Sequence, residues 1–99
     1  MTTEIVGSEL VGNEFPPEEG ARLAKTLLDR DVDWQHITVD LRGLPPSLLI
    51  SAFFNGFLAA INGERPDLLQ SAKKIRWVLD HDFQYENVRR WMKGFVVAT

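Results

Sequence analysis

Hydrophobic and polar positions along the chain switch repeatedly between a two-residue and a three-to-four-residue period. Ile5, Val6, Leu10 and Val11 predict a first strand over residues 3–11, bent or bulged at Gly7-Ser8 and stopped by Gly12-Asn13. Phe15-Pro16-Pro17-Glu18-Glu19 then starts a helix, because proline suits a first turn and early acids complement the helix dipole. Leu23, Ala24, Leu27 and Leu28 make its inner stripe, with Arg22, Lys25 and Asp29 outward, and Asp31-Val32-Asp33 closes it. Residues 36–41 alternate again and predict a second strand with one buried and one wet face.

Pro45-Pro46 forbids helix just before it, and Ser47 is a good N-cap just after. A second helix is expected over about 48–61, stopped by Asn62-Gly63. Pro66-Asp67-Leu68-Leu69 predicts a short helical turn. In residues 74–80, Ile75, Trp77 and Leu79 alternate with Arg76, Val78 and Asp80, a third strand. Asp82 is the expected cap of a last helix, with Val88, Trp91, Met92 and Phe95 at helical spacing and Arg89, Arg90 and Lys93 late in it. Val96-Val97 either extends that helix or docks separately.

The order is β-α-β-α-β-α, without repeats or low-complexity linkers. Right-handed crossovers make such strands mostly parallel. A doubly wound sheet needs strands apolar on both faces, and Thr38, Asp40, Arg76 and Asp80 oppose that. The expected fold class is therefore α/β: a small mixed or mostly parallel sheet with helices mainly on one face.

Ninety-nine residues suffice for one domain, 1–99, with a real core. Three Trp and six Phe argue against disorder. Without cysteine there is no disulfide framework, thiolate metal site or cysteine nucleophile. Met1-Thr2-Thr3-Glu4 has neither the basic nor the apolar segment of a signal peptide, and the apolar runs fall short of a membrane span. A cytoplasmic, bacterial-type domain with no membrane partner is the expectation. The net charge of −3 divides into −5 over residues 1–35 (eight acids, three bases) and +2 over 36–99 (six acids, eight bases). That balance is too weakly basic for a nucleic-acid partner.

The pattern Ile37-Thr38-Val39-Asp40-Leu41-Arg42-Gly43-Leu44, leading into a serine-bearing helix in a sheet flanked by helices, resembles a STAS domain. The helix between the first two strands brings it closest to the STAS-like family of unknown function, and the resemblance spans about residues 5–95. STAS domains include the anti-sigma factor antagonists, in which a serine of an Asp-Ser-Ser-Gly-like segment is phosphorylated. Here that region reads Pro45-Pro46-Ser47-Leu48-Leu49-Ile50-Ser51-Ala52-Phe53, so the resemblance implies Ser51 as the phosphorylation position, with Ser47 second. It further implies an ATPase-type kinase or an anti-sigma factor as protein partner, and no cofactor.

Helical geometry independently gathers Ser47, Ser51, Asn55 and Asn62 into one narrow stripe with Leu58, flanked by Leu48 and Phe54. Leu49, Phe53, Phe57, Ala60 and Ile61 lie opposite, toward the sheet. A small polar stripe edged by large apolar residues is the expected partner-binding surface: Ser47, Leu48, Ser51, Asn55, Leu58 and Asn62. The plainer reading is that another element covers those flanks, that Ser51 is a small residue at a close helix crossing and that Ser47 is only a cap.

Other chemistry is thin. His36, Asp40 and His81 lack metal-ligand spacing, and Asp40 lacks the extra acids of a Mg²⁺-dependent phosphoacceptor. Neither GxGxxG, P-loop nor GxSxG occurs. Lys73-Lys74-Arg76 and Arg89-Arg90-Lys93, near Trp77 and Trp91, read either as a basic aromatic patch for single strands or as the solvated side of the C-terminal elements, and the second fits buried tryptophans better. The expected function is a non-enzymatic regulatory interaction module of bacterial signalling. The alternative is a homodimeric structural or subunit domain without a switch.

Overall fold

Alternation decides which face of each strand is covered. The computed structural model describes residues 3–30 and 32–95; Met1, Thr2, Asp31 at the expected end of the first helix, and Val96-Val97 lie outside them. The elements are β1 (Thr3–Val6), α1 (Pro16–Asp29), β2 (Ile37–Asp40), α2 (Ser51–Glu64), α3 (Leu69–Ala72), β3 (Arg76–Val78) and α4 (Asp82–Gly94), with 3₁₀ turns at Gly7–Glu9 and Pro66–Leu68. The strands form one parallel sheet in the order β1-β2-β3, registered Ile5 to Val39 and Val39 to Trp77. Those three side chains, with Ile37, are buried on one face. Glu4, Val6 and Arg76 are exposed on the other, and Thr38, Asp40 and Val78 half-buried. Sequential parallel strands joined by right-handed crossovers place α1 and α2 on the same side. The fold is a small α/β layer pair with the far sheet face uncovered.

The core lies between sheet and helices. Phe54 and Phe57 of α2 meet Trp77 edge-on, both at 5.3 Å between ring centroids, and Phe54 also meets Trp91 of α4 at 5.8 Å. On its other flank α2 is crossed by α1 at backbone contact distance. A Cβ added at Gly20 would stand 1.9 Å from the Phe53 carbonyl oxygen, and one at Gly56 2.3 Å from that of Pro17. Two glycines, one on each helix, permit this approach, and no larger residue fits it.

Several boundaries differ from the sequence expectation. The first strand ends at Val6 because the chain turns at once, Leu10 N–H donating to the Gly7 carbonyl at 2.9 Å. α2 starts at Ser51 rather than 48: Pro45 closes a turn with the amides of Leu48 and Leu49, and Ile50 is extended (φ −108°, ψ 174°) as the N-cap. Ser47 caps nothing. The helix runs through Asn62-Gly63, where neither residue takes the left-handed conformation, and ends before Pro66. α4 is preceded by His81, whose amide donates to Gln84 Oε1 at 2.9 Å, so Asp82 is its first residue rather than its cap.

Candidate functional site

α2 does not present the surface expected of it. Leu48 and Leu58 are 1% and 0% exposed, and Phe54 is 0% exposed, because α1, α4 and the sheet together enclose both flanks of the helix. Of the expected partner-binding residues, only Ser47 and Asn55 are exposed; Ser51 and Asn62 are half-buried. A helical wheel assumes one covered face, and this helix packs against α1, α4, the sheet and the Pro66–Ala72 segment. Leu48 and Leu58 thus belong to the core, and Ser51, at the first position of α2, keeps only partial access.

His36, Asp40 and His81 do not come together either. Parallel strands put His36, just before β2, and His81, just after β3, at opposite ends of the sheet. His36 Nδ1 sits 2.9 Å from Asp33 Oδ2, an exposed pair whose hydrogen bond holds the Asp33 carboxyl below its ordinary value. His81 stacks on Phe83, ring centroids 5.4 Å apart. Asp40 is clasped by Arg42: Nη2 donates to Oδ2 at 2.8 Å and the Arg42 amide to Oδ1 at 2.9 Å. Those bonds lower the Asp40 pKa and raise that of Arg42. The neighbouring Gly43 amide donates to Asp80 Oδ2 at 2.9 Å, tying the loop after β2 to that after β3. Among the described residues no group of three or more His, Asp or Glu is arranged to hold a metal ion.

The open chemistry lies at the edge of the sheet. Beside β3 is a groove of about 870 Å³ walled by Gln70, by residues 73–79 and by Tyr85, Val88, Arg89, Met92 and Lys93 of α4. These α4 positions share one helix face. Ile75, Trp77, Leu79, Val88 and Met92 supply a buried apolar floor. Lys73, Lys74, Arg76, Arg89 and Lys93 supply the rim, and among the described residues no acid lines the groove. Lys73 is engaged, donating from Nζ to the Phe95 carbonyl at 2.9 Å. Among the described residues, no carboxylate pairs with Lys74, Arg76, Arg89 or Lys93.

β3 is an outer strand, so half its backbone faces this groove. Leu41 N–H donates to the Val78 carbonyl at 2.8 Å, which turns the Val78 peptide groups toward β2 and those of Trp77 and Leu79 away from it. The Tyr85 hydroxyl satisfies Leu79, accepting from its amide at 2.9 Å and donating to its carbonyl at 3.3 Å. No comparable partner meets the Trp77 amide and carbonyl among the described residues, and the buried Trp77 indole N–H also lacks an acceptor there. The sequence carried one signal for this site, the basic run around Trp77. The position of β3 at the edge, which gives that run its meaning, has no local signature.

No helix among the described residues is long and apolar enough to cross a membrane. Comparison of the chain with protein-family models, curated proteins and solved structures returned no match.

Proposed function

We propose that this chain is a non-enzymatic regulatory interaction module whose protein partner binds at the β3–α4 groove. The observation that carries the reading is an apolar groove beside a strand edge that is unpaired among the described residues, rimmed by four cations that find no counter-charge there. Such a surface leaves backbone and charge unsatisfied together, which a protein ligand can repair in one step. The likeness of the Ile37–Leu44 segment and its following helix to STAS domains supports the regulatory class, with an ATPase-type kinase or an anti-sigma factor as partner. The proposed contact thus lies at β3 and α4 rather than on the α2 stripe. Phosphorylation of Ser51 would act at the first turn of α2, where the helix dipole favours added negative charge. Intact-mass measurement of protein from its native host reports on it directly.

The test places a photoreactive side chain at position 89 and, separately, at position 55 in cells of the host. The reading expects a discrete adduct with another protein from 89 and none from 55. The partner so identified should bind the purified chain in isothermal titration, and Arg89→Glu should weaken that binding about tenfold. Adducts only between copies of this chain would favour the homodimeric alternative.

A further inference from the structure

Resting on that reading, we infer that the occupant of the groove is an extended acidic segment of the partner, added as a fourth strand beside β3. The backbone argues for a strand. Trp77 offers its amide and carbonyl outward in one plane, the pair that a neighbouring strand engages with both of its own. The ladder is bounded: Ile75 N–H is taken by the Ala72 carbonyl and both Leu79 groups by the Tyr85 hydroxyl. Among the described residues the Trp77 amide and carbonyl therefore remain to be paired, over a strand of about 10 Å. So short a ladder cannot supply affinity alone, and the side chains must supply the rest.

The rim states which side chains. Lys74 and Arg76 stand on the sheet side, Arg89 and Lys93 on the helix side, all exposed and unpaired among the described residues. Successive residues of an added strand point alternately to its two sides, so acids spaced along it meet both rows. A nucleic-acid strand fits less well. It would use aromatic faces for stacking, whereas Trp77 is 7% exposed and its ring packs edge-on against Phe54 and Phe57.

The experiment is a ¹H–¹⁵N titration of the full chain with the end-blocked heptapeptide Glu-Glu-Val-Val-Val-Glu-Glu, which in an extended strand carries Glu on both of its sides. A Lys-and-Val counterpart and a version with proline at the central position serve as probes of charge and of the ladder. The expected result is saturable shifting of the Trp77 amide and indole signals by the acidic peptide, reduced by salt. The proline version and the Arg89→Glu chain should each bind about tenfold more weakly, with the spectrum of the variant otherwise native. Equal binding of the Lys peptide or of the proline peptide overturns the inference, as do shifts centred away from β3 or no shift at all. Shifts of Trp77 on raising the protein concentration without peptide would assign the groove to a second copy and also overturn it. A partner cross-linked at position 89 with no peptide binding defeats this inference alone; no such partner defeats the functional reading itself.

Discussion

The α1–α2 crossing and the β3–α4 side of the sheet are both contacts of helices with their neighbours, yet they are closed to opposite degrees. At the crossing, Gly20 and Gly56 let main chain lie on main chain, and five large residues of α2 are buried. Beside β3, α4 packs its aromatic contact onto α2 and stands off from the strand edge, leaving a groove with basic walls. The more apolar helix is thus the wholly structural one. The ordinary amphipathic helix, α4, borders the surface with unused hydrogen bonds and charge. Hydrophobicity alone locates the centre of the core, and unsatisfied polar groups locate the place where something else can bind.

The strongest way to break this contrast is Leu58→Asp. A carboxylate at a 0% exposed position without a partner costs several kcal/mol, comparable with the whole stability of about 5–15 kcal/mol expected of a domain. Circular dichroism should show loss of the fold, while Asn55→Asp, on the exposed side of the same helix, should stay within about 0.5 kcal/mol. A folded Leu58→Asp chain of native stability would return α2 to the role of a wet docking helix.

Next in size is a pair of glycine substitutions with opposite signs. Alanine is better than glycine in a helix interior by about 1 kcal/mol, so propensity alone predicts that both Gly20→Ala and Gly63→Ala stabilise. Gly63 has open space around its Cβ position and should gain up to that amount. At Gly20 the methyl would overlap the Phe53 carbonyl, forcing the helices apart at a net loss of about 2–3 kcal/mol. Urea midpoints at constant slope measure both. Equal signs would mean that the crossing yields freely.

These examples show what was legible in the chain and what was not. Element order, the one-sided sheet and the helical turn at Pro66 follow from periodicity and proline, which are local. The start of α2 was not legible, because Ser47 has the chemistry of a cap but Leu48 and Leu49 are drawn into the core and end the turn at Ile50. Nor was the burial of Leu58, since the number of neighbours around a helix is a tertiary property. The candidate site lay in plain view as Lys73, Lys74 and Arg76 around Trp77. Its significance depends on β3 being outermost in the sheet, and strand order leaves no trace in a single strand's pattern.

A smaller effect sharpens the open side of the comparison. Trp77→Phe keeps an aromatic ring among Phe54 and Phe57 but removes a buried indole N–H that finds no acceptor among the described residues. Lost area destabilises, and release of an unsatisfied donor worth about 1–3 kcal/mol offsets it. The net change in thermal unfolding should be within about 1 kcal/mol, far below what the area of a tryptophan suggests. A larger loss would mean that the indole N–H is satisfied in solution, and its slow hydrogen exchange would confirm that.

The smallest effect expected is at Asp40, where the loop after β2 is pinned beside the open side. Bonds from Arg42 depress the Asp40 pKa in the folded chain, so the folded state binds a proton there less readily than the unfolded state. The contribution is therefore complete above the unfolded carboxyl value of about 3.9 and disappears as pH falls through the lower folded value. Asp40→Asn should consequently lower the urea midpoint slightly at neutral pH, and the difference from the parent chain should vanish in acid. Because the pair is solvent-accessible, added salt should shrink the neutral-pH difference as well. A difference that instead grew in acid would mean that protonated Asp40 is the form held by the loop, and that Arg42 is not its partner in solution.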